Sequence, residues 1–194
     1  MTTIDPLSLA LPTSIATERL LLRPPRTGDG PLLHEALAES IVQLREFLGF
    51  LPWVAEPPTL ASAEARCRLC EANFLARTDI VYLALDQASG RLVGSVGLHR
   101  TDWAVPKTEV GYWIRPSAAG RGYVSEGVLA MVSLAFEGLN AQRIELVTDE
   151  QNAASRRVAD RCNFQLEGIH RHTHRGADGS LRSSCVYARL RGDR

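Results

Sequence analysis

Aromatic residues make up only 6% of the 194-residue chain, and Lys107 is the only lysine, so almost all the positive charge is arginine. No block of like charge accompanies that bias, which we read as codon usage in the source genome. An excess of either sign is missing too: Lys and Arg total 22, Asp and Glu total 22, and the formal net charge is zero. That balance argues against a whole-protein basic field for nucleic acid or an anionic membrane, leaving only local patches open. No stretch approaches the roughly 20 apolar residues of a membrane span. Residues 1–10 hold Asp5 but no Lys or Arg, so they lack the basic region of a signal peptide. Four Cys are too few for a disulfide scaffold, and 15 Gly with 10 Pro exclude collagen-like and disordered classes. What remains is a soluble cytoplasmic protein with reduced thiols. Its length suits one domain over residues 1–194, with residues 1–15 as a loosely ordered extension, burying roughly 70% of the surface of the unfolded chain.

Strand and helix signals alternate along the chain without a linker or repeat. Residues 19–23 read as a strand ended by Pro24-Pro25. Asp29 is placed to cap a helix with Pro31 in its first turn, and Leu33, Leu37, Ile41, Leu44 and Leu48 form its apolar stripe. A second helix is predicted near residues 62–77, after the apolar segment Phe50-Leu51-Pro52-Trp53-Val54. Residues 80–86, 91–99 and 107–114 follow as strands, and alternation on the last puts Glu109, Gly111 and Trp113 on one face. A helix near residues 123–137 with Gly138 as C-cap, a strand at 142–148 and a helix capped by Asn152 come next. Residues 164–172 and 181–190 close as a hairpin across Asp178-Gly179. The class is mixed α/β.

The most informative stretch runs from Glu109 to Glu126, where a strand feeds a small-residue turn that opens into a helix. Gly120 and Gly122 let the backbone approach a ligand closely, and the first N–H groups of the helix have no internal acceptors. Those groups and the helix dipole suit a phosphate or pyrophosphate. A P-loop would require Lys and Ser or Thr after the glycines, where Tyr123 stands. A dinucleotide fingerprint would require Gly where Ser125 stands. Neither motif fits.

Ser117-Ala118-Ala119-Gly120-Arg121-Gly122 resembles the acetyl-CoA motif of the GNAT superfamily of N-acetyltransferases, with Ser where Gln or Arg is usual. The similarity covers nearly the whole chain. Thr17-Glu18-Arg19-Leu20-Leu21-Leu22-Arg23 resembles the opening strand of the RimJ/RimL-like branch, whose members acetylate N-terminal amines of ribosomal proteins. Leu44-Arg45-Glu46-Phe47-Leu48 with Leu51-Pro52-Trp53-Val54, Glu109-Val110-Gly111-Tyr112-Trp113-Ile114, and Asn152-Ala153-Ala154-Ser155 followed by Asn163-Phe164 are similar to further segments of that branch. The resemblance implies a central, mostly antiparallel twisted sheet flanked by helices and splayed at the acetyl-CoA site. It implies acetyl-CoA as co-substrate, no metal, and a primary-amine acceptor such as a ribosomal protein N-terminus. Direct nucleic-acid or membrane partners are not implied; a homodimer is left open.

Roles follow the needs of the reaction. An amine must be neutral to attack a thioester, and most amines are protonated at pH 7, so a base must accept a proton. Matched to the family, Glu109 is the base, through water, and Ser155 assists the departing thiolate. The family's usual Tyr is replaced by Ala159. Main-chain groups at Ala119, Gly120, Arg121, Gly122 and Tyr123 hold the pyrophosphate. Asn152 holds the pantetheine arm, and strand N–H groups of Tyr112, Trp113 and Ile114 bind the arm and polarise the carbonyl. Trp53, in the Pro-stiffened segment at residues 47–58, is assigned to the acceptor groove, with a core plug as the alternative. Cys67 and Cys70 share a predicted helix face with Ala63 and Phe74 and read as core. His170, His172 and His174 alternate along one strand face, too far apart to converge on an ion. Arg156-Arg157 reads as a solvated helix face or a contact to the CoA 3′-phosphate. Two rival functions stay open: acetylation of a small amine such as an amino sugar or polyamine, and a catalytically silent acyl-CoA-binding or ribosome-binding module.

Overall fold

The computed structural model describes residues 5–193 of the chain. Its strands are β1 (Ile15–Ala16), β2 (Leu20–Arg23), β3 (Ile80–Asp86), β4 (Leu92–Asp102), β5 (Lys107–Ile114), β6 (Arg143–Asp149), β7 (Gln165–Arg175) and β8 (Leu181–Leu190). Its α-helices are α1 (Gly30–Leu48), α2 (Pro52–Ala55), α3 (Leu60–Ala76), α4 (Tyr123–Ser133) and α5 (Ala153–Arg161). The strands pair in the order β1-β2-β3-β4-β5-β6-β8-β7. Every junction is antiparallel except β5–β6.

Because strand side chains alternate, each strand of the sheet centre feeds two cores. Tyr82, Val96, Leu98 and Val110 point to the side of α4, where Met131, Ile144 and Leu146 join them. Leu83, Leu92 and Trp113 point the other way, against Leu33, Leu37 and Leu44 of α1 and Cys67 of α3. The stripe read on the first helix is thus the face that packs, with Ile41 and Leu48 at its partly buried margin.

Several local expectations are corrected. Asp29 makes no side-chain cap; its carboxylate is taken by the Arg23 guanidinium at 2.6 and 2.8 Å and by the Arg26 N–H at 2.7 Å. An ion pair has outcompeted the cap. Gly138 is not a C-cap: α4 relaxes into a π-turn over Leu134–Gly138, and the left-handed turn falls on Asn140 instead. On β7 the register shifts between His170 and His174, and His172 has φ 53°, so the histidines do not form a regular alternating row. His174 turns to Asp149, Nε2 to Oδ2 at 3.0 Å. Arg156 donates to the Tyr187 hydroxyl, and Arg157 is exposed. Of the N-terminal stretch, residues 1–4 lie outside the described residues, while Leu11 is buried and the Pro12 carbonyl accepts from the Tyr82 hydroxyl at 2.8 Å. Among the described residues no helix is long and apolar enough to cross a membrane.

All four cysteines are free and buried. Burial, with Asp29 nearby, pushes the Cys67 thiol up to about 12, and burial also raises Cys70, Cys162 and Cys185. The thiolate is the reactive form. A chromogenic disulfide reagent is therefore expected to find no fast thiol in the folded protein and four after denaturation; rapid native labelling would contradict this packing.

Candidate active site

The parallel junction is where the sheet opens. Pairing of β5 with β6 covers Lys107 to Glu109 and stops there, while β6 stays on β8 through Asp149. Beyond Glu109 the two strands part. The edge of β5 facing β6 is unpaired from there on. Arg115 donates its N–H to the Val93 carbonyl across β4, so by alternation the Trp113 N–H also faces β4, and those of Tyr112 and Ile114 face the split. The Trp113 N–H is therefore turned away from the split and its ring packs in the core against α1 and α3; of the three strand N–H groups expected at the site, only those of Tyr112 and Ile114 face the split.

A cavity of about 410 Å³ fills the split. Glu109, Gly111, Tyr112, Trp113, Asn152, Ser155 and Trp53 all line it, so the expected residues of strand, α5 and the early segment meet there. Residues 119–123 line no part of this cavity; they sit where β5 leads into α4.

At that turn Gly120 has φ 76° and Gly122 φ 83°, a region that costs a β-branched residue heavily. Gly122 is the residue before α4 and offers no side-chain cap. The Ala119 N–H is spent on the Pro116 carbonyl at 3.1 Å, which corrects the expectation that it is free for a pyrophosphate. The N–H groups of residues 120–125 have no acceptor among the described residues, as a ligand-binding helix start requires. Arg19 holds the turn from below. Its Nη1 donates to the Arg121 carbonyl at 2.8 Å, its guanidinium lies 4.8 Å from the Tyr123 ring centre, and it pairs with Glu126 at 2.6 Å. Glu126 also accepts from the Thr17 hydroxyl at 2.5 Å and the Arg19 N–H at 2.7 Å. The connection between β1 and β2 thereby fastens the first turn of α4.

Across the split, the Tyr112 and Ser155 hydroxyls are 2.7 Å apart. Burial raises the Tyr112 phenol well above its ordinary range, so it stays protonated and can donate. Asn152 spends its oxygen on the cap of α5, accepting the Ser155 N–H at 3.0 Å; its amide NH₂ is what remains for a ligand. Glu109, 14% exposed, meets the cavity already paired with Arg100. Trp53 is half-buried and stacks on Arg66, whose guanidinium carbon lies 4.1 Å from a Trp53 ring centre. Val54, fully buried, is the plug of that segment.

Sequence reasoning missed the Tyr112–Ser155 pair, because the two residues approach only through the splay, and it missed Arg66 and His99 on the same cavity. His99 carried one usable signal. It stands on the strand before Glu109, and antiparallel pairing across the intervening loop sets the two side by side.

Residues 19–165 match the acetyltransferase (GNAT) domain family. Over 141 residues the chain is 30% identical to the "Putative ribosomal N-acetyltransferase YdaF" of Bacillus subtilis (strain 168), covering 69% of this chain and 73% of that protein. Its fold is similar to that of RimL, a ribosomal L7/L12 alpha-N-protein acetyltransferase solved in complex with coenzyme A. There the TM-score is 0.83 at 21% identity, over 91% of this chain and 97% of that one. It is also similar to the microcin C7 self-immunity acetyltransferase MccE solved with acetyl-CoA and AMP, with TM-score 0.82 at 16% identity over 93% and 98% of the two chains.

Proposed function

The chain belongs to the GNAT acetyltransferase family and is an N-acetyltransferase, and from that premise we propose that it moves the acetyl group of acetyl-CoA to the N-terminal amine of a protein such as a ribosomal protein. One observation carries the reading. The split between β5 and β6 opens a cavity beside unpaired strand N–H groups, and β5 runs from there straight into a helix start with unclaimed N–H groups. A thioester arm needs the first and a pyrophosphate the second.

In this reading Gly120 to Tyr123 hold the pyrophosphate by main-chain N–H groups, with the Arg121 cation beside them. The Tyr112 and Ile114 N–H groups orient the arm and polarise the acetyl carbonyl, and the Asn152 amide steadies the arm. The Tyr112–Ser155 hydroxyl pair passes a proton to the departing sulfur. Glu109 carries negative charge on the acceptor side, but it must give up Arg100 before it can take a proton. Trp53 and its neighbours Leu48, Phe50 and Leu51 wall the acceptor end, where an apolar body with one N–H donor suits an extended peptide end.

Thiol release from acetyl-CoA, measured against ribosomal-protein N-terminal peptides, amino sugars and polyamines, tests the proposal. Faster turnover of a peptide supports it. Preference for a small amine overturns the acceptor, and acetyl-CoA binding without transfer to any of them leaves the silent module. The buried cysteines keep the protein's own thiols out of that readout.

Trp53→Ala is expected to raise the acceptor KM about tenfold, with acetyl-CoA affinity unchanged. Its stability cost should fall below the roughly 3–5 kcal/mol of a fully buried Trp, because the residue is only partly buried. A melting temperature lowered by that full amount with an unaltered KM would return Trp53 to the core.

A further inference from the structure

The reading above leaves open which group takes the proton from the acceptor, and the cavity floor offers a choice. Asp79, His99 and Glu109 stand in one transverse row. His99 is the cross-strand partner of Glu109, and the register that sets Ile80 against Leu98 brings Asp79 beside His99. All three line the cavity.

The two ends of the row differ. At one end Arg100 donates from Nε to Glu109 Oε2 at 2.9 Å and makes a second contact to Oε1. Both oxygens of that carboxylate are already occupied by the guanidinium, so Glu109 must release Arg100 before either can meet an acceptor proton. At the other end His99 Nδ1 lies 2.5 Å from Asp79 Oδ1. A carboxylate on Nδ1 keeps the proton there and leaves Nε2 with its lone pair. Nε2 has no hydrogen-bond partner among the described residues. Two glycines make room for it: a Cβ added at Gly111 would stand 2.9 Å from Nε2, and one at Gly97 3.2 Å. Any other residue there would push the ring aside.

We propose that His99, positioned by Asp79, is the base that takes the proton from the acceptor ammonium. The inference rests on the acetyltransferase reading and adds the identity of the base. Two protons leave the ammonium nitrogen. The first goes to His99 Nε2, and solvent discharges the resulting imidazolium. The neutral nitrogen then forms its bond to the acetyl carbon while the carbon–sulfur bond breaks and its electron pair leaves on sulfur. The second proton reaches that sulfur through the Ser155 and Tyr112 hydroxyls. Asp79 touches no reacting atom; it fixes the tautomer and supports the cation. The charges around the imidazole are Asp79 before β3, Arg100 on β4, Glu109 on β5, Glu145 beyond it on β6, and Arg66 on α3.

The test uses the full chain, with wild type, His99→Gln, Asp79→Asn and Glu109→Gln compared at the best acceptor of the panel. Acetyl-CoA affinity by calorimetry and melting temperature are recorded for each. His99→Gln is expected to lose roughly a hundredfold or more in kcat, with acetyl-CoA affinity retained. The acidic limb of the kcat/KM profile should vanish in His99→Gln, shift to lower pH in Asp79→Asn, and persist in Glu109→Gln. Nitrogen-15 NMR of the free enzyme should find the neutral His99 ring protonated on Nδ1, and that preference should be lost in Asp79→Asn. If His99→Gln fails to fold, the Asp79→Asn limb and tautomer decide: both unmoved overturn the proposal. Wild-type turnover and profile in His99→Gln, or loss of the limb in Glu109→Gln alone, also overturn it. Absence of transfer by the wild type to any amine would instead fail the acetyltransferase reading, and the NMR result would then judge the His99–Asp79 pair by itself.

Discussion

Gly122→Val is expected to weaken acetyl-CoA binding by about tenfold to a hundredfold while the sheet stays folded. Gly122 has φ 83°, where valine is strained by roughly 1–3 kcal/mol. A Cβ at this position would also stand 3.3 Å from Nη2 of Arg19, the side chain that fastens the turn to Glu126. The turn relieves both by rotating away, and the N–H groups of residues 120–125 then no longer converge. Each 1.4 kcal/mol of lost convergence costs about tenfold in affinity. Gly122→Ala, with the same backbone conflict but no branch, should fall between wild type and valine. Calorimetric titration with acetyl-CoA, alongside a melting curve, reads both effects. Unchanged affinity in the valine variant would remove the turn from the binding site.

The turn was the most legible part of the site because its chemistry is local. Two glycines, the absence of Lys and an immediately following helix lie within a few residues, and the backbone alone supplies the free N–H groups. Strand ranges read almost as well: residues 80–86 and 107–114 match β3 and β5, since alternation of apolar side chains records which faces are buried. What could not be read depends on distance across the fold. Asp29 had the residue type and position of a cap, but Arg23, on the strand before it, took the carboxylate. Glu109 had the face and the chemistry of a base, but the backbone at Arg100, with φ 50°, lies at the irregularity of β4 and brings a guanidinium onto it. Asn152 was read both as a cap and as a ligand group, and its oxygen caps while its amide remains available. Periodicity reports what a residue faces, not which partner arrives there first.

Glu39→Gln is expected to destabilise the fold by about 3 kcal/mol at pH 7, which for a domain of this length lowers the melting temperature by about 6–12 °C. The reason is Arg115, whose side chain is only 2% exposed where β5 leaves the sheet for the turn. Its guanidinium bonds Glu39 at 2.6 and 2.8 Å, Glu35 at 2.9 Å and the Leu92 carbonyl at 3.2 Å. Without the Glu39 charge, the only carboxylate left to the buried cation is Glu35, which is 61% exposed and a weaker partner. Hydrogen bonds from Ser117, followed by Arg115, hold the Glu39 carboxyl down at about 2 from 4.5. A carboxyl lowered on folding contributes stability that is complete above its ordinary value and drains away as pH falls toward the folded one. Wild type should therefore lose stability between about pH 4.5 and 2, and Glu39→Gln should lose less over that interval, because its share is already gone. Arg115→Met in the Glu39→Gln background should recover part of the loss, since it removes the unpaired charge. The Glu39 carboxylate also accepts the Ser117 N–H at 2.8 Å, so α1 positions the start of the turn that leads to Gly120 and Gly122. The same variant is accordingly expected to lose severalfold in acetyl-CoA affinity at temperatures where it remains folded. A melting temperature within 1–2 °C of wild type across this pH range would show that Glu35 alone satisfies Arg115.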